Sequence, residues 1–275
     1  MTPIWGIFKD SRIIDKLIKG LEETLRCGGK IAYMKLIIIR HGDPDYAMDS
    51  LTEQGWKEAE LLSDRISAMD VKEFYISPLG RAKDTASITL KKMNREGNVL
   101  PWLREFHAPI MDENLGMERV TWDWLPADWT RVNEYYDKDL WHTVEVMQSV
   151  KAFDEAKQVY SGLDEILEKH GYKRDGQIYR AIRPNNDTIV MFCHFGVQCV
   201  MLGHLLGISP MVLWHGFCAA PTSVTTLVTE ERRKGIAYFR VSSFGDISHL
   251  YVAGVKPSFS ARFCETYDNK DERHD

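Results

Sequence analysis

The chain has 275 residues, is 44% hydrophobic and carries a formal net charge of -5 at neutral pH. That length suffices for one large domain, or for a domain with a sizeable insertion. The mild acidity offers no basic face of the kind nucleic-acid binders use, and no apolar run approaches the roughly 18 residues a membrane span requires.

No nucleic-acid partner and no membrane span are therefore expected. The charge does not exclude a phosphorylated substrate, because a few local arginines can dominate a pocket. Cys27, Cys193, Cys199, Cys218 and Cys264 are odd in number, scattered, and contain no C-x-x-C pair. Reduced buried thiols fit that pattern better than a disulfide framework or a zinc site. Met1 to Arg12 mixes charge with aromatics and lacks the apolar core of a signal peptide, so a cytoplasmic setting is expected.

Residues 11–26 place Ile14, Leu17, Ile18, Leu21 and Leu25 at helical spacing, ending at Gly28-Gly29. We read 1–33 as an amphipathic helical extension and 34–275 as the main domain. Whether the extension packs on protein or on a membrane surface, or is only a leader before Met34, the pattern leaves open. Lys35-Leu36-Ile37-Ile38-Ile39 is a short apolar run suited to a strand covered on both faces. It breaks at Arg40-His41-Gly42-Asp43-Pro44. Leu51-Thr52-Glu53-Gln54-Gly55 opens a helix with Ala59, Leu62, Ile66 and Met69 on one face. Phe74-Tyr75-Ile76 reads as a second strand, cut by Ser77-Pro78, and a helix follows from near Arg81 to about Met93.

From about 106 to 186 the texture changes. Trp122, Trp124, Trp129, Tyr135, Tyr136 and Trp141 stand among prolines and acids, and a long helix runs through Val150, Phe153, Val159, Leu163 and Leu167. Lys173–Arg183 reads as a hairpin turning at Asp175-Gly176. This block is read as an α-rich cap insertion. Thr188–Cys193 is another buried strand, ending at His194-Phe195-Gly196, and a helix through Val197, Val200, Met201 and Leu205 stops at Gly207. Ser223–Val228 and Ala237–Val241 complete the strands. Strands alternating with helices predict an α/β fold, a three-layer sandwich with a mostly parallel central sheet.

Three strand ends carry the chemistry. Arg40-His41-Gly42, Ser77-Pro78-Leu79-Gly80-Arg81 and Cys193-His194-Phe195-Gly196 each follow a strand and deliver one or two potential cations. In open α/β sheets ligands gather at the carboxyl ends of strands. The helix beginning near Arg81 would add free N–H groups, which favour a phosphate.

Ile39-Arg40-His41-Gly42, Leu51-Thr52-x-x-Gly55, Ser77-Pro78-Leu79-x-Arg81-Ala82-x-x-Thr85-Ala86 and the later His194 together resemble the histidine phosphatase superfamily, also called phosphoglycerate mutase-like. Leu103-Arg104-Glu105, Pro221-Thr222-Ser223-Val224-Thr225 and Asp246-Ile247-Ser248-His249-Leu250 extend the likeness over roughly 34–252. The resemblance implies that His41 is a nucleophile that becomes phosphorylated, with Arg40, Arg81 and His194 holding the phosphate oxygens. It points to Glu105 as the proton donor, with Asp112, Glu113 and Glu118 as alternatives. The scheme needs no metal and no cofactor, and its partner is a small phosphorylated substrate.

Two features bear on specificity. The segment Asp43–Ser50 is short where phosphoglycerate mutases carry a longer, phosphate-contacting loop, which argues for hydrolysis over mutase chemistry. The family's G-x-W-E-G is absent after Glu105. Trp122, Trp124, Trp129 and Trp141 either stack on substrate, form a lid, or build the cap's own core. Trp214-His215 either borders the site or packs, and His107 and His142 have no assigned role. A phosphomonoester hydrolase is the expected function. The rivals are a phosphomutase using the same His41 and a non-catalytic phosphate-binding module.

Overall fold

Leu36–Ile39 offers water nothing polar to bind, and the fold buries this run at the centre of an eight-stranded sheet. The structure, a computed structural model, describes residues 33–112, 116–258 and 260; the helix expected over 11–26 lies outside them. In chain order come β1 (Lys35–Arg40), β2 (Pro44–Asp45), β3 (Ser50–Leu51), α1 (Glu53–Ser67), β4 (Glu73–Ile76), α2 (Gly80–Met93) and β5 (Asn98–Val99). A 3-10 turn (Pro101–Leu103) leads to β6 (Pro109–Asp112), β7 (Met117–Val120) and α3 (Pro126–Trp129). A second 3-10 turn (Asn133–Tyr136) precedes α4 (Glu145–Ser149), α5 (Ala152–Lys169), β8 (Tyr172–Asp175) and β9 (Ile178–Ala181). The remainder is β10 (Thr188–Cys193), α6 (Phe195–Leu206), α7 (Pro210–Gly216), β11 (Val224–Arg233), β12 (Ile236–Asp246) and α8 (Ser248–Val252).

The sheet order is β5-β4-β10-β1-β11-β12-β9-β8. The expected α/β sandwich is present, but the sheet is mixed rather than mostly parallel. Pairings among β5, β4, β10 and β1 are parallel, while those from β1 through β11, β12 and β9 to β8 are antiparallel. Connection length accounts for part of the split: β8–β9 and β11–β12 are joined by tight turns that force antiparallel pairing, whereas parallel neighbours need crossovers, here carried by helices.

Alternation along β1 sorts its residues between two layers. Ile37 and Ile39 pack with Leu62 and Ile66 of α1, Ala86 of α2, and Phe74, Ile76, Val190 and Phe192. Leu36 and Ile38 face the other way, onto Val159, Leu163 and Leu167 of α5 and Val200, Met201 and Leu205 of α6. Helix α6 is apolar nearly all round because it lies under further structure as well as on the sheet. Thr52 caps α1 by accepting the Gly55 N–H at 3.0 Å.

The stretch read as a cap divides. Its long helix, α5, is one of the helices that cover the sheet, and its hairpin β8–β9 extends the sheet edge through Ile236 opposite Arg180. What stands outside these layers is the run from β6 to α4. Trp129, Tyr135, Trp141 and Met147 from that run join the same buried cluster as the sheet, so they do not form a separate core. Leu163→Ala should therefore lower global stability by about 2–5 kcal/mol, the usual cost of a buried Leu truncation. Urea denaturation followed by tryptophan fluorescence and by circular dichroism should give one coincident transition. Two separated transitions would mean that the β6–α4 region has its own core.

Candidate active site

The register of β1 against β10 builds the site. Arg40 lies opposite Cys193 in the parallel ladder, so His41 and His194 leave adjacent strands side by side. The His41 N–H continues the ladder to the Cys193 carbonyl at 3.0 Å, and the two imidazole centroids are 5.0 Å apart, tilted by 57°. On the other flank, β4 ends at the same level, and the Ser77 N–H donates to the Phe192 carbonyl at 2.9 Å. Arg40 and both histidines are buried, and Arg81 at the start of α2 is half-buried. The four cationic or basic side chains singled out by the sequence thus converge.

Hydrogen bonds set the chemistry of each ring. His41 Nδ1 lies 2.7 Å from the Gly42 carbonyl oxygen, which can only accept. Nδ1 therefore carries the proton, and Nε2 keeps its lone pair. Burial, then Arg40, then Arg81 hold the His41 pKa well below the ordinary histidine value, so the imidazole stays neutral. His194 is likewise pushed well below that value by burial, His41 and the two arginines. Its Nε2 meets the Ser77 hydroxyl at 2.7 Å, and that hydroxyl also accepts the Leu79 N–H at 3.2 Å. His194 Nδ1 and Arg81 Nε are buried with no hydrogen-bond partner. Buried polar nitrogens are seldom left so, and an anion between the arginine and the imidazoles would satisfy them.

Arg40 is anchored by Nη1, which donates to the Ala219 carbonyl at 2.6 Å. Arg81 Nη1 pairs with Asp49 at 2.7 Å, and the Tyr46 ring lies 5.5 Å from its guanidinium. One expectation fails here. The first N–H of α2, at Gly80, is not open to a phosphate, because the Asp49 carboxylate takes it at 2.6 Å.

Glu105 stands just after the 3-10 turn, at the start of α6. Its Oε1 accepts the N–H of Phe106 at 2.8 Å and of Val197 at 3.0 Å. Burial raises its pKa, and these N–H groups oppose the rise without cancelling it. A carboxyl so placed can hold a proton for longer than a solvated one. Gly196 leaves room for this carboxyl, since a Cβ there would come within 2.7 Å of Glu105 Oε1 and 2.8 Å of Trp122 Cδ1 and would displace one of them. Among the alternatives, Glu118 is exposed, and the side chains of Asp112 and Glu113 lie outside those described.

Several supports were given no role by the sequence. Thr85 Oγ1 accepts the Gly42 N–H at 2.9 Å and donates to the Arg81 carbonyl at 2.7 Å, tying the two arginine-bearing segments together. Thr222, at a positive φ of 58°, donates its N–H to the His41 carbonyl at 3.1 Å and meets His249 Nε2 at 3.1 Å. Ser77, Thr85, Thr222 and His249 fall inside the quoted motifs, whereas Asp49 carries no sequence signal. Trp214 and His215 pack rather than border the site: Trp214 Nε1 donates to the Gly196 carbonyl at 2.9 Å, and His215 stacks on Trp129 at 5.0 Å. His142 stacks on Phe153 at 3.6 Å, and His107 is exposed.

A sequence profile of the histidine phosphatase superfamily (branch 1) matches residues 36–241. The chain belongs to that superfamily. The 2,3-bisphosphoglycerate-dependent phosphoglycerate mutase of Thermoplasma acidophilum is 36% identical over 70 residues, covering 22% of this chain and 35% of that protein. The chain thus matches about a third of that curated relative's length. Among solved structures, phosphoserine phosphatase from Entamoeba histolytica in complex with 3-phosphoglyceric acid superposes with a TM-score of 0.52 at 20% identity, covering 79% of this chain and 99% of that one. Phosphoglycerate mutase from Bacillus anthracis gives 0.55 at 16% identity, covering 80% and 96%. Both are similar in fold. No helix among the described residues is long and apolar enough to cross a membrane.

Next to the His41 loop lies a carboxyl pair, Asp43 and Glu58. Asp43 accepts hydroxyls from Thr52, Ser258 and Ser260, and buried Glu58 accepts the Ser258 N–H at 2.7 Å. Burial raises the Glu58 pKa to about 7. Its pKa is therefore higher folded than unfolded, so the folded state binds the extra proton and stability falls as pH rises from the ordinary carboxyl range through about 7. Glu58→Gln should remove up to roughly 3 kcal/mol of that pH dependence. Urea unfolding at mildly acidic and mildly alkaline pH checks this; equal slopes for both proteins would show that Glu58 does not titrate there.

Proposed function

We propose that the protein is a phosphomonoester hydrolase acting through a phosphohistidine on His41. The observation that carries this reading is the fixed tautomer: the Gly42 carbonyl holds the proton on Nδ1, and Nε2 keeps its lone pair among buried cationic donors. Nε2 attacks phosphorus and the bond from phosphorus to the alcohol oxygen breaks. Glu105, whose pKa burial raises, delivers its proton to the leaving oxygen. Arg40, Arg81 and His194 grip the equatorial oxygens as charge redistributes. In the second half, the Glu105 carboxylate takes a proton from water. The resulting attack breaks the phosphorus–nitrogen bond, releasing phosphate and returning neutral His41.

A phosphomutase is the second reading, favoured by the mutase names among relatives and fold neighbours. The short hairpin between β2 and β3 favours hydrolysis, since transfer back to a bound intermediate needs that intermediate retained. The E. histolytica phosphatase structure holds 3-phosphoglyceric acid, and a small phosphorylated compound is the substrate class proposed for this chain. Product analysis separates the readings: free inorganic phosphate marks hydrolysis, and an isomerised phosphate ester marks a mutase.

His41→Ala should abolish phosphate release while the circular dichroism spectrum stays unchanged, because the residue lies beyond the strand end. Near-normal turnover by this variant would remove His41 as the nucleophile.

The pH profile has a defined shape. His41 must be neutral, and its lowered pKa keeps it so until the solution is well on the acid side. Glu105 must be protonated for the first step, and activity toward alkyl phosphates should fall as pH rises through its raised pKa. Glu105→Gln should lower kcat for an alkyl phosphate by about 10²–10⁴-fold, the usual worth of a positioned proton donor. The loss should be much smaller for nitrophenyl phosphate, whose leaving group needs no proton. Equal losses on both substrates would exclude Glu105 as the donor.

A further inference from the structure

The sequence assigns no role to the tip of the hairpin between β2 and β3. Asp49 lies there at a φ of 46°, in the left-handed region that Asp tolerates better than most residues. This turn folds its carboxylate back onto α2, where Oδ2 accepts the Gly80 N–H at 2.6 Å and Oδ1 accepts from Arg81 Nη1 at 2.7 Å. The two segments meet so closely that a Cβ on Gly80 would sit 2.0 Å from the Asp49 carbonyl oxygen. Next to it, the Ser50 hydroxyl donates to Asp84 of the same helix at 2.6 Å. The tip is thus fastened to the first turn and a half of α2 at several points; the Tyr46 ring lies over the Arg81 guanidinium at 5.5 Å, and the Asp49 carboxylate makes the ion pair with its Nη1.

A guanidinium is planar, and its three nitrogens present distinct edges. With Nη1 held by Asp49, rotation of the plane would break that ion pair. The Nε–H then remains buried and without a partner, close to His41 and His194. We infer that Asp49 is the positioning residue for Arg81, turning the Nε–Nη2 edge of its guanidinium onto the phosphoryl group of the substrate. The inference rests on the phosphohydrolase reading and adds to it a residue that never touches substrate. The opposite idea, that Asp49 is a plug standing where phosphate should bind, fits the geometry less well. A plug must leave, whereas Asp49 is held by the Gly80 N–H and by the packing of its own backbone. Its carboxyl also stays ionised: burial works to raise its pKa, but the Gly80 N–H and Arg81 outweigh burial and hold it below the usual carboxylate value.

The test compares wild type, Asp49→Ala, Asp49→Asn and Ser50→Ala in hydrolysis of an alkyl phosphate, with inorganic phosphate as competing inhibitor. Asp49→Ala should lower kcat/KM by about 10- to 100-fold, the cost of a misaligned clamp, and should weaken inhibition by inorganic phosphate. Asp49→Asn, which keeps the shape and an acceptor for Gly80 but loses the charge, should fall between. Ser50→Ala loosens the same hairpin without touching Arg81 and should stay near wild type. The Asp49 side chain keeps 45% of its surface exposed, so formate can enter the space left in Asp49→Ala. Formate should raise that variant's activity at concentrations where it only inhibits wild type. Unchanged kcat/KM in Asp49→Ala, or tighter inhibition by phosphate, would overturn the inference. A loss matched by Ser50→Ala, or not restored by formate, would make Asp49 merely a structural part of the hairpin and overturn it as well. Failure of the wild type to hydrolyse any phosphomonoester would instead sink the proposed function. Calorimetric binding of inorganic phosphate, which Asp49→Ala should weaken, then still decides the role of Asp49.

Discussion

The site depends on the parallel ladder between β1 and β10. Because Arg40 sits opposite Cys193, the next residue of each strand is a histidine, and both imidazoles emerge on the same edge. A slip of one residue would turn Ile37 and Ile39 toward the layer that holds Leu36 and Ile38, exchanging two sets of buried side chains. Register is therefore held by the packing of both sheet faces, and the separation of the two histidines is inherited from it. Thr85, Thr222 and Ser77 then refine the placement by hydrogen bonds to the loop and to the second ring.

Electrostatics around the rings follow one logic. Burial and the two arginines keep both imidazoles neutral. The two long helices that begin at the site, α2 and α6, each have an N–H of the first turn occupied by a carboxylate, Asp49 in one case and Glu105 in the other. Helix ends that elsewhere bind phosphate directly are used here to hold protein carboxylates. Those carboxylates differ in consequence. Asp49 is half-exposed, paired and more acidic than usual, whereas Glu105 is surrounded by Trp122, Gly196 and Phe106 and is less acidic than usual.

The tryptophans divide by location. Trp129 and Trp141 are buried in the cluster that also holds the sheet, so their contribution is to attach the β6–α4 region to the body. Trp122 is half-buried, close to Glu105, and donates its Nε1–H to the Phe106 carbonyl at 2.8 Å. It thereby fixes the segment that carries Glu105. A stack of substrate against the cap is not needed to explain any of these residues.

Continuous apolar runs, Gly-Pro breaks and the spacing of charged residues after them were enough to locate β1, β4 and β10, and to nominate Arg40, His41, Arg81 and His194; Glu105 was nominated by the family resemblance. These signals are local: a strand end followed by a turn is written in consecutive residues, and the motif elements occur in order along the chain. The antiparallel half of the sheet, the membership of α5 and the β8–β9 hairpin in the main layers, and the grip of Asp49 on Arg81 were not legible there. Each depends on which distant segments pair or pack, and an isolated hairpin or amphipathic helix carries no mark of the face that will cover it. The tautomer of His41 and the raised pKa of Glu105 belong to the same class. A side chain's type is set by its codon, but its protonation is decided by the carbonyl, guanidinium and burial that only the folded chain brings beside it.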